Sequence, residues 1–201
     1  RMFYCLPKKD IGLFCFVSEK MLPRLYFKLI CILFLSLSAN AQEGHYFLKN
    51  YTPEIEYTTN SISCIVPGSD NIMYFTYLKG ILSYDGSAWR LIKTPSTPNC
   101  LSEDKPSGQI FVGCNDDFGY LSNDKKGYMS YFSLSSDLSI VGQITKVVIC
   151  REEVYFYSEK KIFVYSVPER VIKYILETTP GNEFTGILEH DNIIYVNESK
   201  T

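Results

Sequence analysis

The sequence repeats one short apolar pattern four times, at Met73-Tyr74-Phe75, Ile110-Phe111-Val112, Val154-Tyr155-Phe156 and Ile194-Tyr195-Val196. The central aromatic residues of these triplets are 37, 44 and 40 residues apart, so the period is close to 40 residues. A period of this length indicates an array of similar structural units, each of which buries an apolar face against its neighbour. The repeat therefore decides the fold class.

Further apolar segments surround each triplet at nearly constant offsets. A first strand is predicted upstream of each triplet, near 62–65, 100–101, 144–148 and 184–188, and a polar turn separates it from the triplet. Third and fourth strands follow the first three triplets, at 80–84 and 88–92, 118–121 and 128–132, and 161–165 and 171–175. Four short antiparallel strands in about 40 residues are typical of a β-propeller blade.

The sequence therefore predicts an all-β fold, a β-propeller of four-stranded antiparallel blades, with about three and a half blades in residues 60–201. We expect the chain to end within the fourth blade and the ring to need further blades to close. A β-sandwich with evenly spaced strands is the alternative, but a sandwich has no reason to repeat one side-chain pattern in each unit.

The recurring residues are expected to serve packing and turn geometry. Gly113 and Gly119 fit places where two backbones approach closely or φ is positive, and Asp85-Gly86 is a hairpin signal. Trp89, the only tryptophan, is expected to pack between blades, and stacking on a sugar ring is its alternative role. The full set of repeat residues is Tyr74, Gly80, Tyr84, Asp85, Gly86, Trp89, Phe111, Gly113, Phe118, Gly119, Tyr120, Tyr155, Tyr165 and Tyr195.

Two stretches of the chain resemble blades of the two-component regulator propeller family. They are Gly80-Ile-Leu-Ser-Tyr-Asp-Gly-Ser-Ala-Trp-Arg-Leu-Ile92 and Gln109-Ile-Phe-Val-Gly-Cys-Asn-Asp-Asp-Phe-Gly-Tyr-Leu121. The third repeat departs from the family pattern, because Tyr165-Ser-Val-Pro-Glu169 stands where Tyr-Asp-Gly is usual. The resemblance covers about 60–201 and rests mainly on the first two repeats.

The resemblance implies a membrane-bound bacterial sensor. In that family an exported propeller precedes a further domain, one transmembrane helix and a cytoplasmic output module, which is a kinase or a helix-turn-helix regulator. The resemblance implies that this region senses an extracytoplasmic ligand such as an oligosaccharide. It also implies a membrane anchor downstream and a homodimer of the full-length protein. The alternatives are a freestanding secreted binding or scaffold protein and a propeller enzyme acting on polysaccharide.

Residues 21–41 have the three parts of a secretory signal peptide. Basic residues precede the apolar run Leu29–Leu35, and Ala39-Asn40-Ala41 is the small-x-small pattern read by signal peptidase. We therefore expect cleavage between Ala41 and Gln42, residues 1–20 to lie upstream of the true start at Met21, and 42–59 to lead into the blades. Met2 is the competing start, and an uncleaved anchor is disfavoured because the run is too short to span a bilayer.

Charge argues against nucleic acid as a partner of the exported part. The chain has 20 basic and 22 acidic residues, of which residues 1–41 hold 6 and 2, so residues 42–201 keep 14 and 20 and a net charge near −6. A moderately acidic exported domain repels polyanions. The predicted location is the periplasmic side of a membrane-anchored protein, or the medium.

Few residues suggest a catalytic or metal-binding role. His45 and His190 are far apart in sequence, so neither a histidine metal site nor a nucleophile triad has an evident construction. Oxygen ligands for Ca²⁺ at 115–117 and 123–124 lack the spacing of a calcium loop, and solvated turns are the preferred reading. We predict no catalytic residue, no metal site and no cofactor, and the sequence does not identify the ligand-binding residues.

Four cysteines follow the predicted cleavage site, namely Cys64, Cys100, Cys114 and Cys150. Each aligns with an inner strand of its repeat, where a free cysteine behaves as a small apolar residue. Buried thiols are therefore the preferred prediction, although an oxidising compartment also permits disulfides among them.

Overall fold

A computed structural model describes residues 26–28, 30, 62–138 and 140–200. The proposed upstream segment 1–20, the cleavage site Ala41–Gln42 and the lead-in 42–59 lie outside the described residues. The chain separates into two compact units, Arg1–Tyr51 and Thr52–Thr201, and all strands belong to the second. In the described part, no helix combines the length and apolarity that a membrane crossing requires.

Within residues 62–138 and 140–200, fourteen strands form four antiparallel sheets, which we number as blades 1 to 4. Blade 1 contains β1 (Ile65–Pro67), β2 (Met73–Tyr77), β3 (Gly80–Tyr84) and β4 (Trp89–Lys93). Blade 2 contains β5 (Pro98–Asp104), β6 (Gln109–Cys114), β7 (Phe118–Asn123) and β8 (Met129–Ser133). Blade 3 contains β9 (Lys146–Cys150), β10 (Glu153–Tyr157), β11 (Lys161–Ser166) and β12 (Val171–Glu177), and blade 4 is the hairpin of β13 (Asn182–His190) and β14 (Ile193–Lys200).

The predicted fold class is confirmed. Each blade pairs its strands in chain order, and each apolar triplet lies in the second strand of its blade. The third strand of blade 1 spans Gly80–Tyr84, as the sequence predicts. The first strands contact one another from blade to blade, β1 with β5, β5 with β9 and β9 with β13, so they form the inner side of the array.

The aromatic residue at the centre of each of the first three triplets packs its blade onto the next, whereas Tyr195 of the fourth triplet is 52% exposed. Tyr74 joins a buried cluster with Leu101 and Val112 of blade 2. Phe111 lies with its ring centre 6.2 Å from that of Phe156 in blade 3. Tyr155 in turn belongs to a buried cluster with residues of β13, so one packing arrangement recurs at all three junctions. Burial of each such side chain contributes about 1.5 to 3 kcal/mol.

Side-chain hydrogen bonds join the inner strands of consecutive blades. The Ser63 hydroxyl donates to the carbonyl of Asn99 at 2.9 Å, and the Asn99 amide donates to the carbonyl of Ile144 at 3.1 Å. Lys146 Nζ donates to the carbonyl of Ile187 at 2.7 Å, which connects blade 3 to blade 4. These bonds fix the spacing of the blades along their inner strands.

The turns between first and second strands share a left-handed backbone conformation. Positive φ occurs at Asn71 (63°), Gly108 (69°) and Arg151 (56°) in blades 1 to 3, and at both Asp191 (52°) and Asn192 (61°) in blade 4. Glycine and asparagine adopt this conformation most readily, so Arg151 is the unusual residue of the set.

Gly119 is required by the close approach of β7 and β8. A Cβ atom at this position would lie 2.0 Å from the carbonyl oxygen of Phe132, a backbone atom that cannot rotate away. We expect Gly119→Ala to lower the free energy of unfolding by about 2 to 3 kcal/mol. Gly186→Ala is the matched control, because a Cβ atom there meets nothing within 4 Å, and we expect a change below about 0.5 kcal/mol. Urea denaturation of both variants is the measurement. Equal losses of unfolding free energy would contradict the close approach of β7 and β8 at Gly119.

Glu103 makes stability depend on pH at the junction of blades 1 and 2. Its side chain is 1% exposed and accepts hydrogen bonds from Lys105 Nζ and the backbone N–H of Ser69. These bonds stabilise the carboxylate and lower the pKa of Glu103, with Lys105 making the largest contribution.

Because its pKa is lower in the folded state, Glu103 stabilises the fold above the unfolded pKa of about 4.3. That contribution is lost as pH falls through the lowered pKa. We expect Glu103→Gln to be less stable than the parent at pH 7 and to lose less stability between pH 5 and pH 3. Urea denaturation across this range is the measurement, and parallel pH profiles would contradict the assignment.

Candidate functional site

A groove opens at the end of blade 3 where its second and third strands meet. Its volume is about 230 Å³, and it lies between the connection from blade 2 to blade 3 and the turn after β10. We call it the crossover groove. Its lining residues are Ile140, Val141, Gly142, Gln143, Thr145, Ser158, Glu159, Lys160 and Lys161.

Backbone contacts with blade 2 hold one wall of the crossover groove. Asn115 and Gln143 form an isolated β-bridge, and the backbone N–H of Asp116 donates to the carbonyl of Gly142 at 3.1 Å. The Gly142 N–H donates in return to Asp116 Oδ1 at 2.9 Å. Asp116 and Gly142 both have positive φ, which gives the two segments the sharp turns that this reciprocal pairing needs.

The opposite wall is a tight turn closed by Ser158. The Ser158 hydroxyl donates to the carbonyl of Lys161 at 2.8 Å and accepts the Lys161 N–H at 3.1 Å. The serine is 4% exposed, so its polar group is satisfied by the turn itself.

Ion pairs offset the positive charges of the groove. Lys160 Nζ lies 3.0 Å from Glu183 Oε1, and Lys161 Nζ lies 3.1 Å from Glu177 Oε1. The remaining lining offers the exposed carboxylate of Glu159, an amide at Gln143, a hydroxyl at Thr145 and the apolar side chain of Ile140, which is 71% exposed. The carboxylate disfavours an anionic ligand, and the hydrogen-bonding and apolar groups together suit binding of an uncharged polar molecule.

A second pocket, of about 280 Å³, lies at the opposite end of blade 3, beside the turns Arg151–Glu152 and Asn192. Its centre is Glu153, which accepts hydrogen bonds from Tyr155 Oη at 2.7 Å and Lys173 Nζ at 2.6 Å. The Lys173 bond, followed by the Tyr155 bond, lowers the pKa of Glu153. A carboxylate held in its charged form by two donors is a structural group rather than a proton carrier at neutral pH.

The structure separates the two groups considered as calcium ligands. Residues 115–117 lie just before the first residue of β7, whereas residues 123–124 are its last residue and the one after it. The two groups therefore lie at opposite ends of that strand. Asp117 is buried and accepts hydrogen bonds from the Phe118 N–H, the Ser133 hydroxyl and the Ser135 hydroxyl. Asp124 accepts the N–H groups of Lys126 and Tyr128 within its own turn. Both carboxylates therefore organise local backbone.

Other candidates for chemistry remain isolated. No group of three or more potential metal ligands occurs among residues 26–28, 30, 62–138 and 140–200. His190 is the last residue of β13, and its Nε2 atom lies 3.4 Å from Asp191 Oδ2 in the adjoining turn, whereas His45 lies outside the described residues.

The repeat tyrosines occupy two different faces of their blades. Tyr120 and Tyr165 both approach Phe111, at 6.3 Å and 6.1 Å between ring centres, so they fill the junction of blades 2 and 3 from opposite sides. Tyr84 lies on the other face of blade 1, away from blade 2, and its hydroxyl donates to the carbonyl of Gly86 at 2.7 Å.

Trp89 packs within its own blade. Its ring centre lies 4.6 Å from that of Tyr84 and 5.2 Å from that of Phe75. Both rings belong to blade 1, and Trp89 lies with Tyr84 on the face of that blade that points away from blade 2. The turn before Trp89 is held by Asp85 Oδ1, which accepts the N–H groups of Ser87 and Ala88.

Sequence reasoning did not identify the lining of the crossover groove. One signal was present, because the spacing of 44 residues between Phe111 and Tyr155 exceeds the 37 and 40 of the other intervals. The additional residues lie in the connection from β8 to β9, and Ile140–Thr145 of that connection form one wall of the groove.

Two solved structures have a fold similar to that of this chain. Two crystal structures of BT4673 from B. thetaiotaomicron match the chain, one described as the extracellular domain of a one-component system and one as that of a hybrid two-component system. The first has a TM-score of 0.51 and 14% identity over 67% of this chain and 19% of that chain. The second has a TM-score of 0.51 and 15% identity over 67% of this chain and 18% of that chain.

At these identities the likeness establishes the fold, and the chain spans about a fifth of the length of the solved structures it matches. No protein-family model matches the sequence. No curated protein matches it either.

The four cysteines of the second unit are free thiols, and all except half-buried Cys64 are buried. Burial raises the pKa of Cys100, and it raises the pKa of Cys114 to about 12. A thiol with such a pKa carries almost no thiolate at pH 8, and thiolate is the reactive form.

We therefore expect Cys100 and Cys114 of the folded protein to resist iodoacetamide at pH 8, and Cys64 to react before both. Mass spectrometry of native and urea-denatured samples is the measurement, with denatured protein giving full labelling. Rapid labelling of Cys114 in the native protein, or a disulfide at any of the four cysteines, would contradict the prediction that these thiols are free and that Cys100 and Cys114 are protected.

Proposed function

We propose that this region is the extracellular ligand-sensing module of a membrane-bound signalling protein of the two-component regulator propeller family. The observation that carries the proposal is the array of four-stranded blades, whose solved structural neighbours are extracellular domains of a one-component or hybrid two-component system. The blade motifs at 80–92 and 109–121 support the same family.

Ligand binding, rather than catalysis, is the role that we propose for the crossover groove. Its side chains are hydrogen-bonding and apolar groups, and its lysines are ion-paired. General acid–base or nucleophilic catalysis needs an activated pair of groups within hydrogen-bond reach, which the groove lining does not supply. An uncharged oligosaccharide suits these groups, and the family resemblance favours the same ligand class.

Binding is tested by thermal unfolding in the presence of neutral and anionic oligosaccharides. A ligand at 100 times its Kd stabilises the folded state by about 2.7 kcal/mol, so a specific sugar is expected to raise Tm by several degrees. Gln143→Ala is expected to reduce the shift. Gln109→Ala is the control, because Gln109 begins β6 at the opposite end of blade 2. Equal shifts in both variants would contradict binding at the crossover groove, and no shift with any sugar would contradict this ligand class.

Export is the second part of the proposal, and it rests on the signal peptide at 21–41. Expression in a bacterial host is expected to yield a periplasmic protein whose first residue is Gln42. Ala41→Phe is expected to block processing, because signal peptidase requires a small residue at that position, whereas Gln42→Ala is expected to leave processing intact. N-terminal sequencing of cell fractions is the measurement, and a cytoplasmic chain that begins at Met2 would contradict export.

A further inference from the structure

Glu159 is the one charged side chain in the lining of the crossover groove that has no ion-pair partner within residues 62–138 and 140–200. Its side chain is exposed. Its backbone is fixed, because its carbonyl accepts the N–H of Phe184 at 2.8 Å and the residue follows Ser158 in the closed turn. The wall of the groove therefore carries a free carboxylate at a defined place.

The ammonium groups of both lysines in the lining are bound by residues that do not line the groove. Lys160 Nζ donates to the carbonyl of Asn182 at 2.9 Å and lies 3.0 Å from Glu183 Oε1. Lys161 Nζ lies 3.1 Å from Glu177 Oε1. Each positive charge is offset by an adjacent carboxylate, so neither lysine is free to bind an anionic group in the groove.

A second carboxylate adjoins the opposite wall of the groove. Asp116 is exposed, and its Oδ1 atom accepts the N–H of Gly142, a lining residue, at 2.9 Å. The next cation along the chain, Lys146, donates to the carbonyl of Ile187 at 2.7 Å and so points toward blade 4. Because the charges of the lining lysines are offset and those of Glu159 and Asp116 are not, the groove has a negative potential.

We propose that Glu159 determines the charge selectivity of the crossover groove. Its carboxylate accepts hydrogen bonds from the hydroxyl groups of a neutral sugar unit, and it excludes a unit that carries a carboxylate of its own, as uronic acids do. This inference rests on the proposed function of the groove as an oligosaccharide site. It names the residue that separates neutral from acidic sugars.

The physical basis of this selectivity is repulsion of the wrong ligand. A hydroxyl group can donate to a carboxylate, whereas a second carboxylate brings only acceptors and a like charge. An unfavourable contact of this kind lowers the affinity for one ligand and leaves the other unaffected, which is how many specific sites discriminate. One like-charge contact at a protein surface is expected to weaken binding by about tenfold.

The potential of the groove is measured first, without a sugar. A cationic and an anionic nitroxide radical of similar size are added in turn at low ionic strength, where surface charges are least screened. NMR relaxation of the amide protons of Gln143 and Thr145 reports how closely each radical approaches. We expect the cationic radical to relax these protons at least about twice as strongly as the anionic one, and Glu159→Gln to reduce this ratio by about twofold.

Glu169→Gln is the matched control for the loss of one negative charge. Glu169 is also exposed, but it lies in the turn between β11 and β12, at the opposite end of β11 from Lys161. We expect this variant to leave the relaxation ratio at the groove unchanged. Both substituted side chains are exposed, so both variants are expected to fold like the parent protein.

The selectivity itself is measured with two pairs of sugars, glucose with glucuronate and galactose with galacturonate. Each sugar is titrated at constant ionic strength, and the chemical shifts of the groove amides give its Kd. For the pair whose neutral member binds, we expect the parent protein to bind the acidic member about tenfold more weakly. Glu159→Gln is expected to reduce this difference to about threefold or less, because glutamine keeps a carbonyl acceptor and loses the charge. Glu169→Gln is expected to preserve the difference.

Two outcomes would overturn the proposal. The first is an anionic radical that relaxes the groove amide protons as strongly as the cationic radical does. The second is equal affinity of the parent protein for the neutral and the acidic member of a pair. A preference for the cationic radical without a response to either neutral sugar would support the charge selectivity and contradict the oligosaccharide ligand, so the two failures are distinguishable.

Discussion

Stacking of one sheet on the next is the constraint on which the structure depends. Each blade is an antiparallel sheet of short strands, and such a sheet has little stability unless one face is covered. Tyr74, Phe111 and Tyr155 meet this requirement by projecting from the second strand of one blade into the next. The fold is therefore a sum of nearest-neighbour contacts, and each blade depends mainly on the blades beside it.

The hydrogen bonds between inner strands fix the spacing of the stacked blades. A side chain from one blade donates to a backbone carbonyl of the next at all three junctions, through Ser63, Asn99 and Lys146. Asn99 accepts at its carbonyl and donates from its amide, so a single residue connects three consecutive blades. Displacement of one inner strand is thereby coupled to its neighbours.

The strand order was predictable because period-2 apolar segments and polar turns recur at fixed offsets. The segment 80–84 coincides with β3, and the triplets all lie within second strands. Side-chain direction was less predictable, since it depends on register. Tyr120 and Tyr165 both lie in third strands and both contact Phe111, but Tyr120 does so from blade 2 and Tyr165 from blade 3.

The candidate site was the least predictable part for a physical reason. Its walls come from a connection between blades and a turn, where backbone hydrogen bonds between distant segments fix the shape. Asp116 and Gly142 exchange two hydrogen bonds although they are far apart in sequence. No local sequence pattern indicates such a pair. Trp89 illustrates the same limit, because its partners Phe75 and Tyr84 follow from strand pairing rather than from the motif around it.

The left-handed turns between first and second strands bear on which residues such a repeat tolerates. Asparagine adopts this conformation in blade 1, glycine in blade 2, arginine in blade 3, and Asp191 together with Asn192 in blade 4. These turns therefore do not require glycine, provided that neighbouring contacts offset the strain of about 1 kcal/mol that a residue such as arginine incurs. Turn residues are accordingly a weak guide to where a blade begins, and the apolar triplets that follow them locate the repeats better.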